Sequence, residues 1–100
     1  MLASVAVGAS AAPTTNVSAS MILASTKRLA ADDCRPHEFG GDLRVARCAY
    51  SPAAFINGQW SVIVHYILVG KDGKVVGAMG ADSVYVFGKD GKFVKIIPGM

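Results

Sequence analysis

Charge is scarce in this chain: 17% of its 100 residues are Asp, Glu, Lys or Arg, against 52% apolar residues. That balance excludes intrinsic disorder for the body of the chain. Long apolar runs are missing as well. No stretch reaches the roughly 18 uninterrupted apolar residues that a membrane-spanning helix needs. The basic residues form no Arg/Lys stripe interleaved with aromatics, so the net charge of +3 carries no nucleic-acid surface. Serine stands in no Gly-x-Ser-x-Gly context, and no glycine-rich loop opens a helix to receive a phosphate. No catalytic constellation emerges, and neither a cofactor nor a metal is expected.

Cysteine is limited to Cys34 and Cys48. An even pair permits one bridge, which would close a loop of about 15 residues and stabilise by about 3 kcal/mol. A disulfide implies an oxidising compartment, and the N-terminus reads the same way. Met1–Ala12 is small, apolar and uncharged, and Ala9-Ser10-Ala11 supplies an A-x-A cleavage pattern. The basic n-region of a signal peptide is missing. The segment is therefore a signal-peptide remnant cut after Ala11 or a flexible leader. Either reading removes residues 1–15 from the fold and leaves 16–100 as one α+β domain, expected to be periplasmic or secreted.

Turns are what the chain has in plenty. Gly-Lys-Asp-Gly-Lys occurs twice, at Gly70–Lys74 and Gly88–Lys92, each time between apolar runs. Asp-Gly and Asn-Gly are strong hairpin signals, and Asn57-Gly58 supplies a third turn, of type I′. Strands are expected over Leu43–Tyr50, Phe55–Ile56, Trp60–Val69, Val75–Met79, Val84–Phe87 and Phe93–Ile97, with Ser51-Pro52 breaking or bulging the first. Gly80-Ala-Asp82 reads as a further turn. In Trp60–Val69 the residues Trp60, Val62, Val64, Tyr66 and Leu68 form one apolar face. The opposite face, Ser61, Ile63, His65, Ile67 and Val69, is mixed, and the whole reads as a central strand.

A helix is expected over Ser20–Ala31, capped by Asn16 or Ser18, with Ile22, Thr26 and Leu29 facing the core. The architecture that follows is one N-terminal helix packed on an antiparallel β-meander of four to five strands.

Chemistry-bearing residues concentrate in the polar loop expected at 32–42, which holds Asp32, Asp33, Cys34, Arg35, His37 and Glu38. Cys34 and His37 have the spacing of half a zinc site, but no second pair completes it. A disulfide-tethered loop with its charges in water fits the pattern better. Cys34-Arg35-Pro36-His37-Glu38-Phe39-Gly40 also resembles the protruding loop of the Ivy-type periplasmic lysozyme inhibitors, which carries a Cys-Lys-Pro-His-Asp-Cys-Gly pattern. Cys34, Pro36, His37 and Gly40 match, and Arg35 and Glu38 are similar in charge. Phe39 replaces the cysteine that closes the small loop in that family. The resemblance covers this loop alone and implies a histidine that enters a lysozyme cleft.

Three functions follow as expectations. The first is a non-catalytic protein-binding module, a monomer or weak dimer, that presents either Arg35, His37, Glu38 and Phe39 or the edge strand Phe93–Ile97. The second is a small-molecule or enzymatic domain with a pocket between helix and sheet. The third is an inhibitor-like protein acting through the His37 loop.

Overall fold

The computed structural model describes residues 17–77 and 81–99. The leader 1–15, the candidate cap Asn16, residues 78–79 of the expected Val75–Met79 strand and Gly80 of the expected turn lie outside them. Among the described residues one helix, α1 (Ala19–Ala30), precedes seven strands. These are β1 (His37–Gly40), β2 (Leu43–Tyr50), β3 (Ala54–Ile56), β4 (Gln59–Val69), β5 (Val75–Val76), β6 (Asp82–Gly88) and β7 (Phe93–Pro98). All pairings are antiparallel, in the order β1-β2-β4-β6-β7, with β3 and β5 also on β4.

The seven segments reduce to a simple meander. β2 and β3 run in the same direction along one side of β4, opposite residues 64–69 and 59–61. Between them the Ser51 N–H still donates to Ile63 O at 2.9 Å, so they are one strand bulged at Pro52. β5 and β6 likewise share the other side of β4. The result is an up-and-down sheet with β1 and β7 at its edges.

Turn chemistry accounts for this path. Asn57 (φ 53°) and Gly58 (φ 79°) both take positive φ, as the type I′ hairpin requires. The twin Lys-Asp-Gly-Lys turns are of another kind, because only their glycines, Gly73 and Gly91, have positive φ. Each is a three-residue loop ending in a left-handed glycine. Gly73 N–H donates to Gly70 O at 3.0 Å and Gly91 N–H to Gly88 O at 2.9 Å. In each, an aspartate oxygen accepts from the second lysine's N–H, Asp72 from Lys74 and Asp90 from Lys92, both at 3.0 Å. Successive turns of a meander stand at opposite ends of the sheet, so the four lysines do not form one patch.

Helix α1 is capped by Ser18, whose Oγ accepts from Met21 N–H at 3.3 Å. It buries Ile22, Thr26 and Ala30. Leu29, expected on this face, is 49% exposed, and the small Ala30 sits at 0% in its place. Thr26 tolerates burial because its hydroxyl donates to Ile22 O at 2.9 Å.

The principal core joins Ile22 and Ala30 to Val62, Val64, Tyr85 and Phe87. The Trp60–Leu68 face of β4 thus looks toward the helix, as its alternation predicts. A second, smaller cluster holds Val45, Leu68 and Ala81.

Two further expectations are corrected. His37–Gly40, placed in a polar loop, is a strand hydrogen-bonded to β2, because pairing supplies what its composition lacks. Asp82, placed in a turn, is the first residue of β6, opposite His65.

Candidate functional site

Three features of the surface combine exposure with chemistry: the hairpin β1–β2, a His–Asp pair on the helix-free face, and the edge strand β7.

The hairpin carries the four residues singled out from the sequence. The Cys34–Cys48 disulfide ties the chain after α1 to β2, with 5.4 Å between the Cα atoms. Tyr50 OH donates to Cys34 Sγ at 3.5 Å. With Cys34 so engaged, the Cys34–His37 spacing presents no thiolate to a metal. Arg35 reaches Asp32 at 3.2 Å, with both side chains more than 70% exposed. His37 Nδ1 lies 2.6 Å from the Arg35 carbonyl and donates to it in the Nδ1–H tautomer.

In the β1–β2 register His37 opposes buried Val45, on the helix side of the sheet. Glu38 opposes Arg44, on the other side. Phe39 packs against Tyr66, with ring centroids 6.4 Å apart, and so returns to the helix side. The four residues are therefore split between two faces and do not converge on one point.

On the helix-free face, His65 Nδ1 hydrogen-bonds with the Asp82 carboxylate across β4 and β6. A histidine held by a carboxylate is one half of a general-base arrangement. The other half is missing among the described residues, where no hydroxyl or thiol hydrogen-bonds to His65. Ser51, one row along the same face, has its hydroxyl engaged with Ile63 N–H at 2.8 Å and with Pro52 O at 3.1 Å. The pair therefore acts as a cross-strand tie. Sequence reading missed it because only the β4–β6 register brings Asp82 opposite His65.

Strand β7 is the longest of the strands exposed at every residue, and among the described residues it pairs with β6 alone. All six of its residues are exposed. Phe93, Val94, Ile96 and Ile97 are exposed to 43%, 51%, 45% and 44%. Phe93 leans on Tyr85 and Phe87, with ring centroids 6.2 and 5.8 Å away, so the core continues outward under an uncovered shelf. Lys95 is the strand's one charge. A register shift opposite Val86 and Phe87 marks a bulge near its start.

This geometry defines an α+β meander with helix α1 on one face and an open, apolar sheet edge. No protein-family model, curated protein or solved structure matches the chain.

Proposed function

We propose that the chain is an exported, non-catalytic protein-binding module that captures an extended polypeptide segment by strand addition at β7. The observation that carries this reading is an edge strand with every residue exposed and apolar side chains on both of its faces. In strand addition the main chain supplies affinity, and alternate side chains supply selectivity by entering neighbouring pockets. The Phe93–Tyr85 shelf offers such a surface. Against a ligand pocket stands the packing between helix and sheet, where Ile22, Ala30, Val62, Val64, Tyr85 and Phe87 are at most 1% exposed. The disulfide and the signal-like leader support export.

A photo-crosslinker at Val94, in protein recovered from the cell, tests the reading. Adducts with a polypeptide are expected at Val94 and not at Val75, which is more exposed but remote from β7. Equal labelling at both positions, or none at Val94, overturns it. The intact mass of the same material reports cleavage after Ala11 and the state of the disulfide together.

The His37 hairpin supports a second, inhibitor-like reading, since Arg35 and all four residues of β1 are exposed on a covalently tethered arm. Inhibition of a lysozyme that His37→Ala abolishes would establish it. Absence of inhibition at micromolar protein would remove it.

A further inference from the structure

We propose that the strand added at β7 is the β7 of a second copy of this chain, paired antiparallel about Ile96. The inference rests on the strand-addition reading and names its partner.

Backbone direction comes first. In an antiparallel ladder, facing residues alternate between those that exchange hydrogen bonds and those that do not. Tyr66 N–H donates to Ala81 O at 2.8 Å, which sets the alternation between β4 and β6. Ser83, Tyr85 and Phe87 therefore turn their backbone groups toward β4, and Val84 and Val86 turn theirs toward β7. The Gly88 N–H bond to Lys92 O, at 2.9 Å, obeys the same alternation. Val84 opposes Ile97 and Val86 opposes Lys95. Ile96, between them, sends its N–H and C=O to the open edge.

Symmetry then selects the register. Two copies of one strand pair antiparallel about a two-fold axis perpendicular to the sheet, so residues that meet must belong to the same face. The axis must therefore pass through a residue, and it passes through a mutually hydrogen-bonded pair only where that residue's backbone groups point outward. An axis at Lys95 would set two ammonium groups side by side, and one at Ile97 would set Ile96 against Pro98, which has no N–H to complete that hydrogen-bonded pair. An axis at Ile96 sets Ile96 against its own copy. Lys95 then lies along Ile97 of the other copy, where its alkyl stem covers an apolar side chain while the charge reaches water. Val94 meets Pro98, which has no N–H but still accepts through its carbonyl.

Area sets the strength. Four side chains of this size, roughly half exposed, leave on the order of 300 Å² of apolar surface along the edge, a size at which patches on monomers are often functional. That is short of the roughly 800 Å² per partner in a standard interface. The dimer is therefore weak and reversible.

Sedimentation equilibrium of the full chain, from about 5 µM to about 500 µM, is expected to show a monomer–dimer equilibrium with Kd on the order of 100 µM. Ile96→Lys is expected to weaken it at least tenfold, with an unchanged melting curve showing that the fold is intact. Independently, the Ile96 amide should exchange slowly at high concentration and fast on dilution. A monomer at all concentrations overturns the proposal, as does a dimer that Ile96→Lys leaves unchanged. Stronger association on mixing Lys95→Glu protein with the unmodified chain would place the axis at Lys95 and overturn the register. Crosslinks from Val94 separate this proposal from the broader one. A self-adduct supports the dimer, an adduct with a different polypeptide supports strand addition but not self-pairing, and no adduct removes both.

Discussion

Tyr85 shows how burying one phenol ties stability to alkaline pH. Burial pushes its pKa above the ordinary 10.0, and the nearby Tyr66, Asp33 and Tyr50 push the same way. The unfolded chain releases the phenolic proton near pH 10, before the folded protein does. The contribution of this group to stability is therefore complete below about pH 10 and is lost as pH rises through the folded value. Denaturant titrations between about pH 8 and pH 11 are expected to show stability falling at the alkaline end. The fall should be gentler in Tyr85→Phe, and identical curves for the two proteins would assign the effect to other groups. At the same scale, Ile22→Ala should cost about 2–5 kcal/mol, because the side chain is 1% exposed at the centre of the helix–sheet core. Chemical denaturation measures that loss directly.

The elements of the C-terminal half were legible because their signals are local. Asn57-Gly58 and the two Lys-Asp-Gly-Lys turns specify hairpins from a few adjacent residues, and the alternation in β4 identifies its core face without reference to its neighbours. The detailed form of the twin turns was not legible. Asp-Gly serves several loops, and only the backbone shows that Asp72 and Asp90 keep negative φ. Where a distant partner decides, the sequence was silent. The strand state of His37–Gly40 comes from pairing with β2, and the choice of Ala30 over Leu29 comes from how closely the helix approaches the sheet. The candidate residues Arg35, His37, Glu38 and Phe39 were visible as a cluster in sequence, while their division between two faces follows from the β1–β2 register.

The twin turns also yield a comparison in which local sequence is nearly held constant. A Cβ at Gly73 would stand in open space, whereas one at Gly91 would lie 3.3 Å from Val17 Cγ2. Both glycines have positive φ, so Gly73→Ala should cost about 1–2 kcal/mol of backbone strain alone. Gly91→Ala should cost measurably more, since it also displaces Val17 beside Ile22. Equal changes in melting temperature would show that the start of the helix is free to move away.

For the whole molecule, the helix is held to the sheet near both ends: at Val17 against Gly91, and at Cys34 bonded to Cys48. Replacing both cysteines by serine is expected to lower stability by about 3 kcal/mol. The change should equal that produced by reductant on the unmodified protein, and a reductant with no effect would place the stabilising contacts elsewhere. The open β7 edge is a property of this same scale, because it exists only once the meander has ordered its strands. Ile96→Lys therefore tests the assembled sheet rather than a local motif.

The bridge between Cys34 and Cys48 encloses the turn at Gly40–Gly41, whose residues are exposed. A protease that nicks the backbone there leaves two fragments still joined through sulfur. On a denaturing gel the nicked protein would migrate as one species without reductant and as two with it. The hairpin arm can thus be severed once while the helix and the sheet stay covalently connected.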